Sequence, residues 1–191
     1  MHVEARPRAE ATGDGSPGPR LILIRGNSAS GKSAVAMAIR DRRGQRDLAI
    51  VSQDNLRRVV LRELDVPGGA NIGLIDLTAR YAIRAGFHVI VEGILYTAHY
   101  GDMLTRLLAD HPGRCRAYYL DVPFGETLRR HAGKPQAGEY GEAEMRRWYR
   151  ERDLLPGGSE QVIPASSTLD DTVSRILADA GLSLTGDGLR T

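Results

Sequence analysis

The chain has 191 residues, with 26 basic and 24 acidic side chains and a formal net charge of +2 at pH 7. This length suits one domain with a sizeable core, and the near-neutral charge does not indicate a protein covered in nucleic acid. Cys115 is the only cysteine, so an internal disulfide is excluded and a reducing compartment is expected. The sequence shows no apolar stretch of membrane-spanning length and no signal-peptide pattern, from which we expect a cytoplasmic protein with no membrane partner.

Residues 1–19 are rich in glycine, proline, alanine and charge, which predicts a disordered tail. The folded domain is expected over residues 20–183, followed by a flexible tail over 184–191. The domain opens with an apolar strand at 21–24, and a helix is expected from Lys32 to about Arg40.

Between this strand and helix, residues 26–33 read Gly-Asn-Ser-Ala-Ser-Gly-Lys-Ser, which matches the phosphate-binding loop G-x-x-x-x-G-K-[ST]. Glycines permit the tight backbone, and successive N–H groups with the helix N-terminus attract an anion. Lys32 is expected to reach the β- and γ-phosphates, and the Ser33 hydroxyl to ligate Mg²⁺. The alternative is a chance glycine-rich turn, but the strand and helix favour a nucleotide site. The expected nucleotide-binding residues are Gly26, Asn27, Ser28, Ala29, Ser30, Gly31, Lys32, Ser33 and Ala34.

Further short apolar strands alternate with helical patterns along the chain. Strands are predicted at 48–51, 88–91, 116–120 and 161–163, and helices at 55–64, 72–83, 99–111, from Pro123, at 142–153 and at 168–181. This alternation predicts a parallel sheet covered by helices on both faces, with every strand's carboxyl end at one edge. Ligands bind at that edge, so side chains just past the strands are candidates.

Three acidic residues follow strands in this way, namely Asp54, Glu92 and Asp121. Asp54 is the candidate general base for a substrate hydroxyl, and the alternative is a helix N-cap. Arg57 and Arg58 follow one turn later, and either an acceptor contact or a solvated helix face explains them.

Glu92 occupies the place of an acid that fixes Mg²⁺, so Ser33 and Glu92 are the predicted metal residues. The same residue, with Tyr96 and His99, is expected to line the acceptor pocket. The alternative for His99 is that it caps a helix together with Tyr100.

Residues 129–140 combine a basic patch, two glycines and a proline, which is typical of a mobile lid. Arg129, Arg130 and Lys134 are the cations that could stabilise charge on a transferring phosphoryl group. The alternative is an ordinary basic helix end. The loop at 164–168 follows the last strand and is expected to pack against adenine, although its Ser and Thr residues also suit a helix cap.

These motifs resemble a group of P-loop kinases that includes polynucleotide 5′-kinases, zeta toxins, chloramphenicol phosphotransferase and gluconate- or shikimate-type kinases. Residues 53–57 are similar to polynucleotide kinases, and the resemblance implies that Asp54 is the base and Arg57 binds the acceptor. Residues 120–123, with Arg129 and Arg130 downstream, resemble the approach to a lid whose arginines clasp the ATP phosphates. Residues 91–95 resemble uridine kinase.

The resemblance covers residues 21–181 and implies an α/β P-loop NTPase sandwich of three layers. It implies a five-stranded parallel sheet in the order 2-3-1-4-5 with helices on both faces and a small lid. ATP and Mg²⁺ are the implied cofactors, and the implied reaction moves the γ-phosphate of ATP to a hydroxyl. The acceptor is a small metabolite or antibiotic, a nucleotide sugar or, less favoured, a polynucleotide 5′-hydroxyl.

Two other functions stay open: a non-catalytic ATP-binding module and an ATPase. A guanine-nucleotide switch is disfavoured because the sequence lacks Asn-Lys-x-Asp. The sequence leaves the oligomeric state open.

Overall fold

The computed structural model describes residues 18–133 and 138–182. Strands and helices alternate through this range, as the apolar pattern predicts. The strands are β1 (Leu21–Gly26), β2 (Leu48–Ser52), β3 (His88–Gly93), β4 (Cys115–Asp121) and β5 (Glu160–Pro164). The α-helices are α1 (Lys32–Arg43), α2 (Ala70–Arg84), α3 (Thr97–Ala109), α4 (Phe124–Ala132), α5 (Glu142–Trp148) and α6 (Leu169–Asp179). A π-helix (Asn55–Val60) and a short 3₁₀ turn (Pro156–Gly158) complete the described elements.

The five strands form one parallel sheet in the order β2-β3-β1-β4-β5. The predicted strand order is therefore confirmed. β1 is central, and its Leu23 is in register with Val91 of β3 and Ala117 of β4. Because all strands run the same way, the P-loop and the segments after β2 and β3 meet at one edge.

Alternate side chains of β1 enter two different cores. Ile22 and Ile24 pack in a cluster that includes residues of α1 and α6. Leu21 and Leu23 pack in a cluster that includes residues of α2 and α3. Burial on both faces explains why the strand is continuously apolar over four residues, and it gives the predicted three-layer arrangement.

Two predicted helices differ from the structure. The helix predicted at 55–64 is a π-helix that ends at Val60, and Arg62 then adopts a left-handed φ of 51°. The helix predicted at 142–153 ends at Trp148, because Tyr149 adopts an extended conformation. The chain after Trp148 is held in this path by contacts to the P-loop that are described below.

Helix ends and turns follow their local chemistry. The Thr168 side chain accepts a hydrogen bond of 3.1 Å from the Asp171 backbone N–H, which confirms the predicted start of α6. Pro123 is the residue directly before α4, where its missing N–H costs nothing. Within the described ranges, no helix combines the length and apolar character needed to cross a membrane.

Candidate active site

The P-loop has the backbone that its glycines predict. Gly26 has φ of 146°, and a Cβ there would lie 2.7 Å from the Leu120 carbonyl oxygen. Gly31 has φ of 107° at the N-cap of α1. Both positions require glycine, the first for close approach and both for positive φ. The turn therefore leads directly into the N-terminus of α1, which attracts anions.

Lys32 is buried beneath this loop. Its ammonium donates hydrogen bonds to the Asn27 carbonyl oxygen at 2.7 Å and to Ser30 Oγ at 3.3 Å. These contacts hold a positive charge against the backbone of the loop. A phosphate chain bound in the loop would meet both.

Ser33 and Glu92 meet at the same place. The Ser33 hydroxyl donates to the Glu92 carboxylate at 3.0 Å, and Glu92 is almost fully buried. The structure thus brings Ser33 and Glu92, the two residues predicted to hold Mg²⁺, into direct contact. Their hydroxyl and carboxylate oxygens are the donors that Mg²⁺ prefers when phosphates and waters supply the rest. Residues 18–133 and 138–182 contain no group of three or more His, Cys, Asp or Glu side chains arranged for a metal.

A cavity of about 430 Å³ opens beside the P-loop and α1. It lies between the start of α1, the β4–α4 region and the loop at 164–168, where adenine is predicted to pack. Its lining includes Ser30, Gly31, Ala34, Val35, Leu120, Val122, Glu126, Arg129, Arg130, Ile163, Pro164, Ala165, Ser166, Ser167, Thr168, Leu169 and Thr172. A second cavity, of about 510 Å³, includes Cys115 and Ser159 at the other end of β4 and β5, away from this edge.

The two candidate arginines at the end of α4 are not equivalent. Arg130 donates to the Ser30 carbonyl oxygen of the P-loop at 3.1 Å and to the Ala165 carbonyl oxygen at 3.4 Å. Arg129 is exposed and donates to Glu126 at 2.7 Å. Hydrogen bonds from Arg129 and then Arg130 lower the pKa of Glu126 to about 2. Arg130 is therefore the one that spans the cavity, and Lys134 lies outside the described residues.

Asp54, the predicted general base, lies two residues beyond β2. Its side chain is 69% exposed and accepts from Arg57 at 3.3 Å. Although Asp54 precedes the π-helix, its side chain makes no capping hydrogen bond within residues 18–133, so the N-cap alternative is not observed. The carboxylate therefore stays available to a substrate.

Arg57 is anchored beside it. Its Nη1 donates to the Glu63 carbonyl oxygen at 3.2 Å. The Nε atom is buried and has no hydrogen-bond partner among the described residues. Arg57 is thus held in position by the segment that follows the π-helix.

Tyr96 and His99, the other predicted acceptor residues, lie directly before α3 and in its first turn. The Tyr96 hydroxyl donates to the Trp148 carbonyl oxygen at 2.6 Å, and burial raises the pKa of Tyr96 to about 12. His99 Nδ1 lies 3.2 Å from an Asp65 carboxylate oxygen, and its ring meets Tyr96 edge to face at 5.7 Å. Tyr100 is fully buried and donates to Asp65 at 2.9 Å, which is a structural role. α3 begins at Thr97, so His99 and Tyr100 lie in its first turn rather than at its cap.

Gln53 and Asp65 link the segments that carry Tyr96 and Tyr100, and the sequence did not predict this role. Gln53 accepts from the Leu95 backbone N–H at 3.0 Å and donates to Tyr100 at 2.9 Å and Asp65 at 3.2 Å. A Cβ on Gly93 would lie 2.6 Å from the Gln53 Cβ, so the glycine after Glu92 makes room for this side chain. That glycine was the available signal in the sequence.

Arg25, which is fully buried near the end of β1, was also not predicted from the sequence. Its guanidinium donates to the Leu95 carbonyl oxygen at 2.8 Å, to Glu160 at 2.9 Å and to Asp153 at 3.0 Å. Leu95 has φ of 49°, so the arginine holds a backbone conformation that leucine disfavours. The local sequence pattern does not reveal the role of Arg25, because its carboxylate partners lie more than 120 residues later in the chain.

The chain beyond α5 returns to the P-loop. The Arg150 backbone N–H donates to Asn27 Oδ1 at 2.9 Å, and Asn27 Nδ2 donates to the Arg150 carbonyl oxygen at 2.7 Å. This pairing explains why α5 stops early. It also brings the Arg150 guanidinium to 5.4 Å from the centre of the Tyr96 ring.

Comparison with known protein families identifies the family of this chain. A family model described as an AAA domain matches residues 21–155. The chain belongs to the AAA domain family. No curated protein sequence matches it. The family match covers the P-loop, Asp54, Glu92, Arg130 and Arg150, whereas the loop at 164–168 lies beyond it.

Solved structures show the fold of this AAA domain protein. APS kinase from Mycobacterium tuberculosis, in complex with AMPPNP and APS, has TM-score 0.65 at 19% identity over 86% of this chain and 99% of that chain. A gluconokinase from Sinorhizobium meliloti has TM-score 0.57 at 16% identity over 86% and 93%. A tunicamycin resistance protein from Deinococcus radiodurans has TM-score 0.60 at 20% identity over 88% and 99%. The fold is therefore that of P-loop kinases, and these likenesses do not single out the polynucleotide kinase or zeta toxin group.

Proposed function

We propose that the protein is an ATP-dependent phosphotransferase that moves the γ-phosphoryl group of ATP to a hydroxyl of a small-molecule acceptor. The observation that carries this proposal is the 3.0 Å contact between Ser33 of the P-loop and the buried Glu92 of the next strand. In P-loop NTPases a loop Ser or Thr and an acidic residue of a neighbouring strand hold the Mg²⁺ that accompanies the nucleotide phosphates. The pair supports phosphoryl transfer assisted by a divalent cation.

Residues 26–34 bind the phosphates of ATP in this proposal, and the cavity beside Arg130 receives adenine. Lys32 neutralises charge at the β- and γ-phosphates. Arg130 lies between the P-loop and the loop at 164–168, so it can contact both the base and the phosphates. Arg129 has a smaller role, because its guanidinium is exposed and paired with Glu126.

Ser33 and Glu92 would hold Mg²⁺. When bound, the cation neutralises charge on the phosphate oxygens. The rest of the chemistry belongs to side chains of the chain. Lys32 and Arg130 offset the negative charge that develops as the phosphoryl group moves.

Asp54 acts on the acceptor. The hydroxyl oxygen forms a bond to the γ-phosphorus while the bond from that phosphorus to the bridging oxygen of ADP breaks. The hydroxyl proton passes to the Asp54 carboxylate, and the products are ADP and the phosphorylated acceptor. Arg57, Tyr96 and His99 line the acceptor side and orient this hydroxyl.

The solved structures that resemble this chain support a small acceptor, since they include an APS kinase in complex with APS and a gluconokinase. We also propose that the domain predicted over residues 20–183 works in the cytoplasm. Residues 1–17 and 184–191, where the two tails are predicted, lie outside the described residues.

The test incubates the protein with Mg²⁺ and γ-labelled ATP in two parallel sets of reactions. One set contains a panel of metabolites, nucleosides and aminoglycosides, and the other contains an oligonucleotide with a 5′-hydroxyl. Label on a small molecule that is lost in Asp54→Asn supports the proposal. Label on the oligonucleotide alone would make the protein a polynucleotide 5′-kinase. Release of free phosphate at the same rate in the wild type and in Asp54→Asn would indicate an ATPase. Binding of ATP with neither phosphate release nor phosphoryl transfer would indicate a non-catalytic module.

A further inference from the structure

The Asn27 side chain joins the P-loop to a segment more than a hundred residues later in the chain. Its amide pairs reciprocally with the Arg150 backbone, because the Arg150 N–H donates to Oδ1 at 2.9 Å and Nδ2 donates to the Arg150 carbonyl oxygen at 2.7 Å. Asn27 is 4% exposed, so water competes little for these bonds. The P-loop pattern accepts any residue at this position, and the pairing therefore gives Asn27 a role that the motif does not explain.

The backbone of Asn27 meets the cation of the nucleotide site. Its carbonyl oxygen accepts a hydrogen bond from the Lys32 ammonium at 2.7 Å. In a P-loop, that lysine reaches the β- and γ-phosphates. Phosphate oxygens would therefore compete with the Asn27 carbonyl oxygen for the ammonium, and binding of a nucleotide would change the hydrogen bonding of Asn27.

Residues 149–153, which we call the strap, follow α5 and contain no helix or strand. Polar contacts hold the strap instead. The Arg150 carbonyl oxygen accepts from the Tyr119 hydroxyl at 3.3 Å, and the Asp153 carboxylate accepts from Arg25 at 3.0 Å. These contacts hold the strap near the ends of β1 and β4, beside the loop whose amide pairs with it.

Both ends of the strap are attached to the start of α3, where proposed acceptor residues lie. The Trp148 carbonyl oxygen, directly before the strap, accepts from the Tyr96 hydroxyl at 2.6 Å. At the other end, the Asp153 carboxylate accepts from the Thr97 backbone N–H at 2.9 Å. Arg150, between these two points in the sequence, brings its guanidinium to 5.4 Å from the centre of the Tyr96 ring. The strap therefore connects Tyr96 to the P-loop.

We propose that Asn27 is a positioning residue that transmits the occupancy of the P-loop to the strap, and through the strap to Tyr96. Lys32 contacts the phosphates, the Asn27 carbonyl oxygen responds to Lys32, and the amide of the same residue moves the Arg150 backbone. This inference rests on the proposed phosphotransferase function, because it links the binding of ATP to a residue that orients the acceptor hydroxyl.

A second contact offers another route between the P-loop and the same region. The Tyr140 hydroxyl lies 3.5 Å from Ser28 Oγ, and the Tyr140 ring meets the Trp148 ring with 4.9 Å between their centres. At 3.5 Å this contact is long for a hydrogen bond between hydroxyls, whereas the two bonds of the Asn27 amide are 2.7 and 2.9 Å long. The geometry thus favours Asn27, and a variant of Tyr140 separates the two routes.

Trp148 provides the measurement, because it is the only tryptophan in the sequence and directly precedes the strap. We would titrate the full chain with AMPPNP in the presence of Mg²⁺ and follow the fluorescence of Trp148. Calorimetry measures the affinity for AMPPNP independently. In the wild type, we expect AMPPNP to change the emission with a midpoint that matches the calorimetric Kd.

Two variants of Asn27 remove the pairing. In Asn27→Ala, we expect most of the emission change at saturation to be lost, while the affinity for AMPPNP stays within about threefold of wild type, since the loop backbone and Lys32 bind the phosphates. Asn27→Ser, whose shorter side chain does not span both backbone atoms of Arg150, should give the same result. Circular dichroism checks that both variants fold, and Asn27→Ser decides the test if Asn27→Ala does not fold.

Arg147→Ala is the matched control. The Arg147 side chain is 72% exposed on α5 and donates to Glu144 at 3.0 Å, so its removal leaves the strap untouched. This variant should keep both the affinity for AMPPNP and the emission change.

Four outcomes would overturn the inference. Saturation of the wild type without a change in emission would show that the strap does not respond to the nucleotide. A full emission change in both Asn27 variants would remove Asn27 from the route, and its loss in Tyr140→Phe would assign the coupling to Ser28 and Tyr140. Loss of AMPPNP binding in both Asn27 variants would make this side chain part of the nucleotide site itself. An equal loss of emission change in Arg147→Ala would show that Trp148 reports on α5 rather than on the strap.

Failure of the proposed function gives a different result. AMPPNP that does not bind to the wild type, or that binds equally to Lys32→Ala, contradicts the phosphotransferase proposal whatever the emission shows. AMPPNP that binds normally but leaves the wild-type emission unchanged contradicts only the coupling through Asn27.

Discussion

The nucleotide side and the acceptor side of the candidate site are built in different ways. On the nucleotide side, Lys32 and Glu92 are buried and held by short hydrogen bonds to the P-loop. On the proposed acceptor side, Asp54 is exposed and directly precedes a π-helix that ends at Val60, two residues before the left-handed Arg62. The first side has the backbone geometry of an anion site, whereas the second presents an exposed carboxylate. On the nucleotide side the backbone of the P-loop determines which ligand we expect, whereas on the proposed acceptor side exposed side chains do.

The largest test of this comparison is Lys32→Ala. Removing the buried ammonium should lower phosphoryl transfer about 10³-fold, since a preorganised cation is lost where charge develops. The measurement is kcat with labelled ATP. Lys32→Arg is the control for charge, and it should stay impaired because a planar guanidinium does not fit the loop. Wild-type transfer in Lys32→Ala would contradict the nucleotide site.

Asp54→Asn tests the acceptor side in isolation. Loss of the base should lower kcat about 10²- to 10³-fold, while the affinity for a fluorescent ATP analogue stays within about twofold of wild type. Asp102→Asn, which changes an exposed carboxylate on α3, serves as the control. Full activity of Asp54→Asn would rule out its role as base.

The two sides also differ in how far sequence alone could predict them. The P-loop was predictable because its glycines and its strand-to-helix context dictate backbone conformation locally. The sheet order was predictable from alternating elements and the family resemblance. The conformation of residues 59–66 was not predictable, because the apolar spacing at 55–64 suits an ordinary helix and does not show that Glu63 bonds to the start of α2 and Asp65 to Tyr100 of α3.

Long-range polar contacts were equally unreadable. α5 ends early because Asn27 pairs with the backbone of Arg150, 123 residues away. The candidate lid arginines could be named from the sequence but not ranked, since only the structure places Arg130 on the P-loop and leaves Arg129 exposed.

Arg130→Ala sharpens that ranking. Loss of its contacts between the P-loop and the loop at 164–168 should raise the KM for ATP about tenfold. Arg129→Ala, one residue away, should change it by less than about twofold because its ion pair with Glu126 is exposed. Steady-state kinetics at fixed acceptor distinguishes the two. Equal effects would mean that both arginines reach the nucleotide.

The smallest expected effect concerns the loop at 164–168, at the edge of the cavity beside the P-loop. Thr168→Ala removes the N-cap of α6 and should lower the free energy of unfolding by about 1 kcal/mol, measured by urea denaturation. Ser166→Ala, in the same loop, should change it by less than about 0.5 kcal/mol. A Thr168→Ala protein as stable as wild type would show that α6 does not depend on this cap.

Arg25 has a consequence for the order in which the protein can be completed. Its guanidinium lies inside the sheet's helical cover, yet the Glu160 carboxylate that binds it comes 135 residues later. A buried charge without its partner is strongly destabilising. The other carboxylate that pairs with Arg25, Asp153, also comes late in the chain. During synthesis, a nascent chain that ends before Asp153 therefore contains β1 to β4 but has an uncompensated charge beside them. We expect stable closure of the sheet only after the segment from Asp153 to β5 has left the ribosome.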